Sequence, residues 1–133
     1  SRLEDFNRPE VTVTARLGST SAAAANKLLP KAQKRFFDDE SQVIQELVNG
    51  KVHALLAGTP LPAYQVMKYP DKLFLPLGDT DFTREPIGFA VRKGDPDFLN
   101  FLDNWVRVTS ALGWLDARFA YWFNTEDWKP LVE

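Results

Sequence analysis

The sequence predicts an α/β fold: one parallel-sheet lobe followed by a helical C-terminal extension. Three observations carry that prediction. Short β-branched or apolar runs alternate with helix-patterned stretches through residues 11–75. Gly, Asp or Pro turn chemistry separates them. The last third carries large aromatic residues at helical spacing. Strands that alternate with helices imply parallel β-α-β units with right-handed crossovers.

Each element follows from its residues. The polar stretch Ser1–Glu10 has no periodic apolar pattern and reads as a lead-in. Val11–Leu17 alternates β-branched residues and ends at Gly18, a strand with its turn. Ser19, Thr20 and Ser21 are N-cap residue types before the strong helix formers from Ala22 to Leu29, and Pro30 stops that helix. Lys34–Phe37 predicts a short strand. Asp38, Asp39 and Ser41 then cap a helix with Val43, Ile44, Leu47 and Val48 on one face, closed by Asn49-Gly50. Val52–Ala57 is an apolar strand bounded by Gly58. Pro60 and Pro62 favour a helix start, with Leu61, Tyr64 and Met67 inward, and Tyr69-Pro70 closes it. Leu73–Leu75 and Ile87–Val91 predict two further strands, on either side of a polar, turn-rich boundary at Gly78–Pro86. A helix capped by Asp95 or Asp97 carries Phe98, Phe101, Leu102, Trp105, Val108 and Leu112. Gly113 interrupts it, and a last helix holds Trp114, Phe119, Trp122 and Phe123.

Composition excludes whole classes of function. The 133 residues carry 16 Lys and Arg against 18 Asp and Glu, a net charge of −2. Nucleic-acid binding needs clustered excess basic charge, which is absent here. No apolar run approaches the ~18 residues of a membrane helix, so no membrane insertion is expected. Four Trp, ten Phe and three Tyr are too much apolar surface for a disordered chain. With no Cys and the single His53, neither a metal centre nor a Ser-His-Asp triad assembles readily, and no cofactor is expected. The chain opens on Ser1 with no basic-then-apolar leader. A removed leader and a piece of something longer are the two alternatives.

Two turns can carry chemistry. In Arg16-Leu17-Gly18-Ser19-Thr20-Ser21, the N–H groups that open a helix, the hydroxyls of Ser19 and Thr20, and the Arg16 guanidinium suit an anion such as a carboxylate. The alternative is that Ser and Thr cap their own helix. Ala57-Gly58-Thr59-Pro60 follows the third strand. Ligands of open parallel sheets gather at the carboxyl ends of strands, which places this turn beside the first. His53, without neighbouring His or Cys, reads as a packed or surface residue. Asp38-Asp39-Glu40 reads as a helix-capping cluster, since it lacks calcium-loop spacing. The aromatic C-terminus has the spacing of a helix packing on a core.

The order strand, Gly-Ser-Thr turn and Ala-rich helix, then Asn49-Gly50-Lys51-Val52-His53-Ala54, then Pro86-Ile87-Gly88-Phe89-Ala90-Val91-Arg92-Lys93-Gly94-Asp95-Pro96, resembles the extracellular solute-binding proteins of polar amino-acid ABC transporters. Cyclohexadienyl dehydratases share that type II periplasmic-binding scaffold. The resemblance runs over nearly the whole chain. It implies two α/β lobes that close on a ligand at a hinge. The second lobe grips the ligand's carboxylate with a turn matching Gly18, Ser19 and Thr20, preceded by a pocket position matching Arg16. Ser21, Gly58 and Thr59 complete the implied ligand-binding set. The family's aspartate for the ligand's ammonium falls on Gly58 here, a departure that makes an organic acid as good a candidate as an amino acid. His53 is a second departure, where many members carry Asp.

The resemblance further implies a hinge at 1–10, a second lobe at 11–82, and a segment at 83–133. That segment holds a return hinge, a strand and C-terminal helices that normally pack on a first lobe not contained in this chain. The expected function is extracytoplasmic, periplasmic binding of a small carboxylate-bearing solute for an ABC-transporter permease, without catalysis. The enzyme alternative is a dehydratase acting on prephenate or arogenate. Either the missing first lobe or another copy of the chain is expected to cover the aromatic helices.

Overall fold

A computed structural model describes residues 2–78, 83 and 86–131. The chain divides into two compact units, Ser1–Thr83 and Arg84–Glu133. Of the expected boundary at 78–86 and the return crossing within it, residues 79–82, 84 and 85 lie outside the described residues.

The first unit is built on a three-stranded parallel sheet: β1 (Thr12–Thr14), β2 (Gln33–Lys34) and β3 (Ala54–Leu55), in the order β2-β1-β3. The ladders are shorter than the β-branched runs suggested, although an isolated parallel bridge between Arg16 and Phe37 prolongs the β1–β2 pairing. Three helices follow the strands: α1 (Thr20–Leu28), α2 (Glu40–Val48) and α3 (Leu61–Lys68). Val13 and Thr14 are both 0% exposed. Successive strand residues point to opposite faces, so both faces of β1 are covered, as in a parallel sheet flanked by helices. The core holds Val11, Val13, Ala25, Leu29 and Ala32. The lead-in contributes too: a 3₁₀ turn at Leu3–Phe6 lays Leu3 and Phe6 on that core. Thr14, although polar, is satisfied, because its hydroxyl donates to the Arg35 carbonyl at 2.7 Å.

Among the described residues Glu46 is the one buried acid of the unit, 8% exposed. Its Oε1 pairs with Lys51 Nζ and its Oε2 with Arg35 Nη1, both at 3.0 Å. Because Val43 of the same face is buried, Glu46 three residues later is carried inward with it. The paired cations reach in from half-exposed positions, which keeps the buried carboxylate compensated. Lys34 plays a related part, donating from Nζ to the carbonyls of Leu29 and Ala32 at the end of α1. On α3 the most buried residue is Gln65; Leu61, Tyr64 and Met67 are half-buried.

Two expected strands are absent. At Leu73–Leu75 the N–H groups of Lys72 and Leu73 turn back onto the Tyr69 carbonyl at 3.0 and 2.9 Å, and Phe74 is 73% exposed. An N–H spent on closing α3 has nothing left for a ladder. Ile87–Val91 forms no strand, and Ile87 is 95% exposed. A β-branched run becomes a strand only beside another strand, and none is present in the second unit among the described residues.

The second unit consists of α4 (Pro96–Ala111), α5 (Trp114–Phe123) and a 3₁₀ turn at Lys129–Leu131. Asp95 caps α4, its carboxylate accepting from the Phe98 N–H at 2.9 Å. Gly113, at φ +68°, supplies the left-handed residue between the two helices. The aromatic residues meet edge to face: Trp105 with Trp114 at 5.9 Å and with Phe89 at 6.1 Å. Trp128 donates its indole N–H to the Trp122 and Thr125 carbonyls. Neither helix buries a residue, and Phe98, Phe101, Val108 and Trp114 stand exposed. These apolar side chains are not packed on another layer within the second unit among the described residues.

Leu29 is the largest side chain sealed in the first core. Leu29→Ala is expected to cost about 2–5 kcal/mol, read as a lowered urea midpoint with an unchanged slope.

Candidate functional site

The topology itself creates a crevice. The chain passes from β1 to β2 on one side, then back across β1 to β3 on the other. With right-handed crossovers this reversal sends α1 and α2 to opposite faces. The loops leaving β1 and β3 then diverge, and a hollow opens at the carboxyl ends of those strands. A cavity of about 320 Å³ lies there. Arg16, Ser19 and Ser21 line it from the β1–α1 turn, Glu40 and Val43 from the first turns of α2, and residues 55–58 from the run out of β3. Its size is at the small end of ligand pockets.

Four of the seven expected site residues therefore meet in one place: Arg16, Ser19, Ser21 and Gly58. Gly18, Thr20 and Thr59 belong to the same two turns without lining the hollow. Gly18 serves the turn itself, since φ +73° is costly for any residue with a Cβ. Gly58 has an ordinary φ and open space where a Cβ would stand, so packing does not demand glycine there. The Thr59–Pro60 peptide that follows is cis.

The β1–α1 turn divides its labour. Ser19 is the N-cap of α1: its Oγ accepts from the Ala22 N–H at 3.1 Å and donates to the Arg16 carbonyl at 2.6 Å. Its backbone N–H also donates to that carbonyl, at 3.2 Å. A hydroxyl has one proton, and in this structure that of Ser19 is given to the turn. Ser21 is different. Neither its N–H nor its hydroxyl has a protein partner among the described residues. The Arg16 guanidinium likewise makes no ion pair there. Ser21 and Arg16 are the donors left to face an anion at the positive end of α1.

Glu40 also lines the hollow, although the sequence pattern groups it with two neighbouring acids as a capping carboxylate. The cap is Asp39 alone, which accepts from the Gln42 N–H at 3.1 Å and from the Ser41 hydroxyl. Those bonds, the Ser41 hydroxyl first, hold the Asp39 carboxyl below its ordinary 3.8. With Asp39 as N-cap, Glu40 is the first helical residue of α2 and reaches the hollow. Counting from the cap locates it; the run of three acids hides it. His53 lies at the other end of the sheet: its Nδ1 accepts from the Thr12 N–H at 3.0 Å while its own N–H donates to the Thr12 carbonyl. It ties β3 to β1 and does not enter the hollow. Among the described residues no cluster of three or more acidic or imidazole groups could hold a metal, and no helix is long and apolar enough to cross a membrane.

An α/β lobe of the type II periplasmic-binding kind, with a polar hollow at its switch point, defines a class of ligand-binding proteins. Comparison with known proteins agrees. No family model matches the chain. It is 30% identical over 113 residues to a probable histidine-binding protein of Neisseria gonorrhoeae, covering 82% of this chain and 41% of that protein. It is 23% identical over 124 residues to a cyclohexadienyl dehydratase of Pseudomonas aeruginosa, covering 90% and 44%. Among solved structures, a putative binding component of an ABC transporter from Wolinella succinogenes, complexed with lysine, superposes with a TM-score of 0.82 at 32% identity, covering 98% of this chain and 55% of that one. An ancestral amino acid-binding protein, a precursor of cyclohexadienyl dehydratase, gives 0.73 at 39%, covering 92% and 51%. The relatives are thus amino-acid-binding proteins and a dehydratase akin to them, and this chain spans about half the length of each.

Two expected outcomes follow from the caps. Ser19→Ala removes a side-chain cap and is expected to cost about 1 kcal/mol in equilibrium unfolding. The Asp39 carboxyl is lowered in the folded state, so its contribution is full above pH 3.8 and is lost as pH falls through the lowered value. The stability gap between the wild type and Asp39→Ala, followed by urea midpoint, should narrow below pH 3.8.

Proposed function

We propose that this chain is a ligand-binding lobe of an extracytoplasmic solute-binding protein that delivers a small carboxylate-bearing solute to an ABC-transporter permease. The observation that carries this reading is the hollow at the carboxyl ends of β1 and β3, where Arg16 and Ser21 present donors without protein partners. A carboxylate there takes charge-assisted bonds from the guanidinium and the first-turn N–H of α1. The relatives named for binding histidine or lysine support an amino acid or an organic acid as the solute. An open hollow holds little of a ligand's surface, whereas binding sites bury most of it. A second body closing over the hollow supplies the rest. The uncovered aromatic face of α4 and α5 fits the same scheme: it packs on a first lobe or on another copy of the chain.

One observation favours a second reading, a dehydratase acting on prephenate or arogenate. The sequence is related to such an enzyme, and Glu40 is a carboxylate lining the hollow where a general acid is needed. Binding without turnover is the better account, since among the described residues Glu40 has no second carboxylate or imidazole beside it in the lining of the hollow.

Calorimetric titration with L-histidine, L-lysine and simple carboxylic acids is expected to show binding that Arg16→Ala weakens about 10-fold or more. No heat or thermal shift with any of them would overturn the reading. Release of phenylpyruvate from prephenate would decide for the enzyme. In sedimentation, the aromatic face predicts association through α4 and α5; a monodisperse monomer with readily quenched tryptophans would contradict it.

A further inference from the structure

Arg16 and Glu40 line one hollow with opposite charges, yet neither makes an ion pair among the described residues, with each other or with any other group. The neighbouring acids of α2 are accounted for: Asp39 caps the helix and Glu46 is held by Arg35 and Lys51 on the buried face. The same hollow is lined by the apolar residues Val43, Leu55 and Leu56. Such a lining sharpens any charge imbalance once a ligand excludes water. A ligand with a carboxylate alone would bring two negative groups to one guanidinium and leave Glu40 facing its own kind. A dipolar ligand satisfies both charges at once.

From this geometry we infer that Glu40 is a specificity-determining residue, the partner of a positively charged group on the ligand, so that the hollow selects molecules carrying an ammonium or other cation beside their carboxylate. The inference rests on the proposed carboxylate-binding role of the lobe and adds the second pole. Glu40 does for the ligand's cation what Arg16 and Ser21 do for its anion. The packing at Gly58 is compatible with this division, since nothing but open space stands where a side chain would add a competing charge.

The test is a pair of titrations on the wild type and Glu40→Gln, with thermal melts to establish that both are folded. The probes are L-histidine and 3-(imidazol-4-yl)propanoate at a pH that keeps the imidazole neutral, so that they differ by the ammonium alone. The wild type should prefer L-histidine by about 10- to 100-fold, the range of a hydrogen bond between charged partners. Glu40→Gln should remove most of that preference by weakening L-histidine and sparing the propanoate. Equal weakening of both probes, or no change in either, overturns the role of Glu40 while leaving the carboxylate site standing. Binding of neither probe, nor of any carboxylate, to the wild type overturns both. Retained preference in Glu40→Gln together with lost turnover of prephenate assigns Glu40 to catalysis instead.

Discussion

Everything in the first unit depends on β1 being the middle strand of a parallel sheet. Its neighbours arrive from opposite sides, β2 through α1 and β3 through α2. That single reversal buries Val13 and Thr14 on both faces and forces the polar Thr14 to find a partner in Arg35. It also splits the loops that leave the strands. The hollow is therefore a consequence of strand order and exists before any side chain is chosen to line it. Gly18 with its positive φ and Ser19 with its inward hydrogen bonds serve the backbone of the turn, while the side chains of Arg16, Ser21 and Glu40 line the hollow without protein partners among the described residues.

The acidic residues of α2 show how helix position assigns roles to similar side chains. Asp39 at the cap satisfies the first-turn N–H groups and lowers its own pKa in doing so. Glu40, one residue on, turns toward the hollow. Glu46, on the stripe shared with Val43, is drawn into the interior and held by two cations. Three carboxylates within eight residues take three positions, and one step along the helix separates the cap from the hollow.

The second unit follows a different rule. Asp95 caps its first helix, and its aromatic rings touch one another at edge-to-face distances, yet neither helix buries a residue. An amphipathic helix is stabilised mainly by the layer its apolar face packs on. Here the face is present, and within this unit no layer is packed on it among the described residues. The same condition explains Ile87–Val91, a strand in composition that has no strand beside it. Both features suit a segment whose folding partner is a further body of the protein or a second copy.

The amino-acid sequence by itself determined what depends on neighbours a few residues away. That includes the alternation of strand and helix in the first unit, the caps Ser19, Asp39 and Asp95, the glycines that end turns, and the two aromatic helices. It also placed Arg16, Ser21 and Gly58 in adjacent loops, because a parallel sheet brings its strand ends together. Tertiary structure alone decided the rest. Strand lengths and the loss of the expected strands at 73–75 and 87–91 turned on the availability of pairing partners. The commitment of the Ser19 hydroxyl to the Arg16 carbonyl, the burial of Glu46 and the arrival of Glu40 at the hollow depended on directions in space. A sequence states which groups are near along the chain; only the folded backbone states which way each one points and what it meets.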